Sequence, residues 1–471
     1  MKFDLVIKNG DVFFQDKIKK LDIGILEGKI KAIENKIEQT SDVIDAKGLL
    51  CLPGGIDSHV HISQPFGPDI QIADDFISAT KSAAAGGNTC VIPFALQQRG
   101  ESIRAVVQNY HKLAEGNCYI DYAFHLIISD TNPQTLGQEL PALINNGYTS
   151  LKIFMTYDDL VLKDLEILNV MKTAKEHKAL VMVHAEGYDA IRFLTNEAEQ
   201  KGNIAPYFHA ETRPDIVERE AVHRAISHAE IAGIPLMIVH VSSEIALEQI
   251  KWAKEKRELP IYAETCPQYI TLTKSDLRGL NMDMSGSKYV CSPPPRDINS
   301  QNAIWQGIQE NVFSIFSSDH CPFRYDDIKG KLNPKAKTSF RWIPNGIPGV
   351  ETRLPIFFSE GVSKKRISIK QFVEQTSTNH AKIYGLWPHK GSIDIGFDAD
   401  IVLWDQNKKT KIHQKNLHHG SDYTPWENFE VTGVPITTIT NGRVVFQDQK
   451  FISTKPLGKF ISRGYSSLIE N

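Results

Sequence analysis

Eight apolar runs of strand length recur through the middle of the chain, and a helix-period pattern lies between most of them. The runs fall at 55–61, 88–94, 121–128, 150–155, 180–185, 235–242, 261–266 and 312–319, and the intervening patterns include DDFISATKSAAAGG, KDLEILNVMKTAKEH and PDIVEREAVHRAISHAEIAG. A strand followed by a helix and then a neighbouring strand needs parallel pairing and a right-handed crossover. Eight such units predict an α/β fold, a closed (β/α)8 TIM-like barrel. An open doubly wound sheet is the alternative, but no GxGxxG follows a first strand.

The two ends of the chain read differently. Residues 4–8, 22–26 and 29–33 look like short strands, and so do 400–404, 434–441 and 443–446, with Asn441-Gly442 as a hairpin turn. These ends predict a small β domain, a β-sandwich, assembled from residues 1–53 and 392–450 around a barrel at 54–391. Residues 451–471, with Lys455, Lys459 and Arg463, read as a tail that is either frayed or an oligomer contact on a neighbouring subunit. A length of 471 residues suits a large domain plus a smaller one.

Charge narrows the partners. The 53 Lys and Arg nearly balance the 56 Asp and Glu, so there is no basic field for nucleic acid or an anionic membrane. No apolar run reaches the roughly 18 residues of a membrane span. The start, MKFDLVIKNGDV, lacks the secretory pattern. The expectation is a cytoplasmic protein with a small-molecule partner. The 6 cysteines include no CxxC pair, so neither a zinc knuckle nor a disulfide framework is indicated. Cys266 and Cys321 follow strands and are candidates to line a site.

Polar residues that bind metals close several of the apolar runs. GGIDSHVH places His59 and His61 two residues apart, on one side of a strand, with Asp57 one layer deeper. LVMVHAE ends with His184, PLMIVHVS with His240, and VFSIFSSDH with Asp319. In a (β/α)8 barrel these ends form the rim where catalytic residues sit, and imidazole is the commonest ligand of catalytic zinc. Lys152 lies within the apolar run SLKIFM. A buried ammonium is costly, so three roles stand open: a salt bridge, a Schiff-base lysine, or an amine that adds carbon dioxide to become an anionic carbamate. Charge balance around two divalent ions favours the carbamate.

PGGIDSHVH, SLKIFMTY, VMVHAE, IVHVS, ETCPQY, CSPPPR, SSDHCPF and NGIPGVETR, in that order, resemble the dihydropyrimidinase/hydantoinase family of cyclic amidohydrolases. The resemblance runs from residue 2 to about 450. It implies two zinc ions per subunit, bridged by N6-carboxylated Lys152. His59, His61, Lys152 and Asp319 would hold one ion, and Lys152, His184 and His240 the other. It also implies a bridging hydroxide as nucleophile, Asp319 as proton shuttle and Tyr157 as oxyanion stabiliser. Tyr157 and main-chain groups of Ser292 and Asn345 would bind the substrate, whose ring opens to an N-carbamoyl amino acid. A homotetramer is the form expected from the resemblance.

The loop after the paired histidines, ISQPFG, carries no cation. A ring bearing a free carboxylate would lack a partner there, which favours dihydropyrimidines and 5-substituted hydantoins over dihydroorotate. The chain departs from the family pattern at Gln64, where an apolar residue is common, and at Pro93, where an acid often stands. Gln64 is expected to make the substituent pocket more polar, and Leu160 to wall it. An allantoinase-type ureide hydrolase, a non-catalytic scaffold relative and a mononuclear deaminase or dipeptidase are the competing readings. The full ligand set argues against a scaffold, and Lys152 against a mononuclear site.

Overall fold

A computed structural model describes residues 2–39 and 42–469. Of its two nine-stranded sheets, the one from the middle of the chain is parallel and follows chain order. The strands are Gly55–Val60, Asn88–Leu96, Ser150–Phe154, Leu180–His184, Leu236–Ile238, Ile261–Thr265 and Ile315–Phe316, with the third strand in two pieces, Asp121–Tyr122 and His125–Ile127. The circle closes where Val60 bridges His320 and the His61 amide donates to the His320 carbonyl at 2.7 Å. This is the (β/α)8 TIM-like barrel expected from the alternating pattern.

Side-chain alternation sorts the barrel into two cores. Leu180 and Met182 point inward with Ile92, Phe94 and Met237, whereas Val181 and Val183 pack outward against the helices. The same period turns Lys152 inward, between outward Leu151 and Ile153. In the first strand, register shifts follow Gly55 and Asp57, and Val60 and Ile62 then face the outer core. His59 and His61 consequently face in.

The sixth and eighth strands are much shorter than their apolar runs. His240 and Asp319 have φ of 40° and 51°, in the left-handed region that L-residues rarely adopt. The sixth strand stops at Ile238, two residues before His240, and the eighth at Phe316, three before Asp319. The helices follow the predicted patterns. Asp75 caps Phe76–Ala85 by accepting from the Ser78 amide, and Asp215–Ala232 ends on Gly233 at φ 64°.

Both chain ends join one hydrogen-bonded sheet of nine strands. Leu5–Phe14, Lys17–Leu26 and Lys29–Glu34 form one side, and Ile401–Lys411, Glu430–Thr440 and Arg443–Gln447 the other. The seam is Leu50–Pro53, parallel to the first strand and antiparallel to Ile401–Lys411. All four seam residues are buried, so no alternation marks them as a strand in the sequence.

The tail is not frayed over its described residues. The Tyr122 amide donates to the Lys459 carbonyl at 3.0 Å, and the Ile461 amide donates to Tyr122 at 2.8 Å. Buried Arg463 donates to the carbonyl of Phe124 at 2.6 Å. The described part of the tail therefore packs on the floor of the chain's own barrel, which replaces the frayed end among the two expectations. Among the described residues no helix is long and apolar enough to cross a membrane.

Candidate active site

Every ligand candidate from the sequence comes to the carboxyl end of the barrel. His59 Nε2 lies 3.2 Å and His61 Nε2 3.7 Å from Asp319 Oδ1. One ligand atom from each of the three falls within 4.8 Å of the others, the spacing of a metal site. His184 and His240 form a second pair, with ring centroids 4.4 Å apart, and His240 is 5.3 Å from His59.

Lys152 lies between the two groups. Its Nζ is 5.2 Å from the ring centroids of both Phe94 and Phe154. Phe94 packs on His59 and His61, at 4.9 and 5.0 Å, and Phe154 stacks on His184 at 5.4 Å. The amine is buried and, among the described residues, has no hydrogen-bond partner. Burial pushes its pKa down to about 8, against the pull of Glu264 and Asp319. Burial likewise holds the His59 and His240 imidazoles well below 6.5, with the Lys152 charge adding to the effect in both. Neutral imidazoles suit metal ligation, and the lowered lysine pKa brings the neutral amine that carbamate formation requires within easier reach.

A ring of orienting groups surrounds these residues. Glu264 Oε1 accepts from His59 Nδ1 at 2.6 Å and from the His240 amide at 3.1 Å, while Ser317 Oγ donates to Oε2 at 2.8 Å. Glu186 Oε2 accepts from His184 Nε2 and from Arg213, both at 2.7 Å. That bond leaves His184 Nδ1 as the nitrogen available to a metal. Sequence reasoning missed Glu186 and Glu264, although each is a polar residue at or just beyond the end of an apolar strand, the signal that found the histidines. Asp57 is committed elsewhere: it accepts from the amides of His59 and Ser318 and lies 3.5 Å from Arg353 Nε.

Tyr157 sits at the edge of this cluster, its ring 5.3 Å from His184 and 5.6 Å from the Arg213 guanidinium. Its φ of 73° is a strained conformation for a tyrosine and turns the side chain out of the run of the fourth strand. Burial raises its phenol pKa, and Arg213, Ser292 and Asn345 oppose that rise. Tyr157, Ser292 and Asn345 are thus brought together. Ser292 Oγ is 3.2 Å from His209 Nε2, which donates to the Cys291 carbonyl at 2.9 Å. The loops carrying Ser292 and Asn345 are tied by Lys331, which the sequence did not single out. Its Nζ donates to the carbonyls of Val290 at 2.8 Å and Pro344 at 2.6 Å.

The remaining candidates take these places. Gln64 does not simply face a substituent pocket; its Oε1 lies 2.7 Å from His61 Nδ1. Leu160 is partly buried beside Tyr157 against the inner core. Cys266 and Cys321 are buried, and burial holds both thiols well above 9. They line the surroundings as neutral side chains, not as nucleophiles.

The amidohydrolase family model matches residues 50–445. A D-hydantoinase of Geobacillus stearothermophilus is 41% identical over 98% of both chains. A D-hydantoinase of Ralstonia pickettii is 40% identical over 98% of this chain and 99% of its own. The crystal structure of a dihydropyrimidinase from Brevibacillus agri superimposes with a TM-score of 0.94 at 40% identity, covering 98% of this chain and 99% of that one. The chain therefore belongs to the amidohydrolase family and, within it, to the hydantoinase/dihydropyrimidinase group, enzymes that hydrolyse cyclic amides.

Proposed function

We propose that the protein opens a neutral cyclic ureide, a dihydropyrimidine or a 5-substituted hydantoin, to an N-carbamoyl amino acid. The observation that carries this reading is the Lys152 amine, buried between two groups of histidines with no hydrogen-bond partner among the described residues. Left as an ammonium it would be a buried charge eased by Glu264 and Asp319 but held by no hydrogen bond among the described residues. As a neutral amine it attacks carbon dioxide, a nitrogen–carbon bond forms and a proton leaves. The resulting carbamate carries one negative charge shared by two oxygens, each able to face an ion.

The residues fit two divalent ions, zinc in this reading. His59, His61, Asp319 and carboxylated Lys152 would hold one, and Lys152, His184 and His240 the other. Such ions, when bound, acidify a water and polarise a carbonyl. The chain's own groups do the rest. Asp319 takes the proton of the attacking water and returns it to the leaving ring nitrogen. Tyr157 donates a hydrogen bond to the oxyanion that develops on the carbonyl oxygen. Main-chain groups at Ser292 and Asn345 hold the amide edge of the ring. Glu264 and Glu186 orient His59 and His184.

The preference for neutral rings is supported by the cations present. Arg213 is committed to Glu186, and Arg296 to Glu218 at 3.1 Å. Neither is free to pair with a substrate carboxylate. A cytoplasmic homotetramer completes the reading on family resemblance.

A hydrolysis panel tests it. Zinc- and bicarbonate-treated protein is given dihydrouracil, phenylhydantoin, allantoin and dihydroorotate, and loss of ring absorbance is followed. Dihydrouracil or phenylhydantoin is expected to turn over fastest, with two metal ions per chain by elemental analysis. Preference for dihydroorotate or allantoin overturns the substrate, and a metal-free, inactive protein overturns the enzyme reading.

A further inference from the structure

The four histidines at the mouth are not backed alike. His59 Nδ1 meets the Glu264 carboxylate at 2.6 Å, and His184 Nε2 meets the Glu186 carboxylate at 2.7 Å. Among the described residues His240 Nδ1 meets nothing. His61 Nδ1 meets the side-chain amide of Gln64 at 2.7 Å. Gln64 is 6% exposed, so this contact is shielded from competing water.

Which atom of the amide faces the ring decides what His61 can do. With Oε1 inward, Nδ1 carries the proton and Nε2 keeps its lone pair on the side of Asp319. With the amide NH2 inward, Nδ1 would be the acceptor and Nε2 would be protonated, which forbids ligation through that atom. A metal bound at Nε2 therefore selects the first arrangement. An amide oxygen is also neutral. It withdraws the Nδ1 proton less than a carboxylate does, and leaves His61 a poorer electron donor than His59.

We propose that Gln64 is a positioning residue: its amide oxygen locks His61 in the Nδ1-protonated tautomer and sets how firmly that imidazole grips its ion. The assignment rests on the two-metal reading above. It replaces the pocket-polarity role expected from sequence, and it makes the loop Ser63–Phe66 part of the support of the metal centre.

The test is zinc retention. Zinc-loaded wild type, Gln64→Met, Gln64→Asn and Gln64→Glu are mixed with excess chelator, and zinc transfer is followed by indicator absorbance. Gln64→Met, and Gln64→Asn, which is one methylene too short, are expected to release one of the two ions about 10- to 100-fold faster. Gln64→Glu is expected to retain it at least as well as wild type. Nitrogen NMR of metal-free, histidine-labelled protein is expected to find His61 in the Nδ1-protonated form in wild type and mixed in Gln64→Met. Should Gln64→Met fail to fold, the Asn and Glu variants carry the comparison. Equal release from wild type, Asn and Glu variants overturns the role of Gln64 while the metal centre stands. A wild type that takes up no zinc overturns both.

Discussion

The mouth and the floor of the barrel each bury a lysine, and they treat it in opposite ways. At the floor, Lys390 Nζ lies 2.6 Å from Asp400, 2.7 Å from Asp121 and 3.1 Å from Asp398. Burial works to lower its pKa, yet the aspartates raise it well above 10.5. The three carboxylates have the spacing of a cation site, and the cation is this ammonium. The knot joins the third barrel strand through Asp121 to the small sheet through Asp400, and the Lys459 amide of the tail donates to Asp121 at 2.9 Å. At the mouth, Lys152 has no hydrogen-bond partner among the described residues, and His240, Asp319 and Tyr157 are held at positive φ. One end has its charges closed and serves stability. The other leaves charge and strain unresolved, which is where a ligand can be gripped.

The largest way to break this contrast is at the mouth. Lys152→Ala is expected to lower kcat/KM by about 10⁴-fold or more, the scale of removing one member of a catalytic unit. Metal content should fall below that of wild type while far-UV circular dichroism is unchanged. Near-normal metal content and turnover would mean that Lys152 is only a packed side chain.

Lys390→Met reverses the pattern. It strands the carboxylates of Asp121 and Asp400 in the interior, at a cost of about 3–5 kcal/mol in urea unfolding, while metal per folded chain stays at the wild-type level. The same lysine has a pH signature. Its folded pKa lies above the unfolded 10.5, so its contribution is complete below 10.5 and is lost as pH rises through the folded value. The difference in stability between wild type and Lys390→Met should hold constant from neutral pH to about 10 and then shrink, by up to about 1.4 kcal/mol for each pH unit. A difference that widens with pH would contradict the ion pairing.

What could be read from the sequence follows the same division. The barrel was legible because its apolar runs alternate with helical patterns, and the candidate metal site at its rim because His59, His61, His184, His240 and Asp319 close apolar runs. Lys152 stood out as a charge inside one. The lengths of the sixth and eighth strands were not legible, and nothing in the residue types announces that His240 and Asp319 take positive φ. Leu50–Pro53 carries no period because every residue is buried. The supporting contacts were hidden for a different reason. Glu264 lies 205 residues from His59, Lys390 lies 269 from Asp121, and Lys331 meets Val290 across 41, so each pair is made only by the closed fold.

Lys331 offers the smallest and most discriminating test, because it is a buried lysine of a third kind. It is satisfied by backbone alone: two carbonyls accept from it, and burial pushes its pKa down to about 7. It touches neither histidine group, yet the carbonyls it holds belong to Val290 and Pro344, close before Ser292 and Asn345. The Gly346 amide donates to the same Val290 carbonyl at 3.1 Å, so the two loops keep one direct bond without it. Lys331→Met removes the donor, keeps the volume, and leaves the Pro344 carbonyl without this partner, a loss of about 1 kcal/mol in the placement of the loops. The expected result is a KM raised about fivefold for a hydantoin, with kcat and zinc content within about twofold of wild type. A fall in kcat with KM unchanged would instead put Lys331 with the mouth, among groups that act on the transition state.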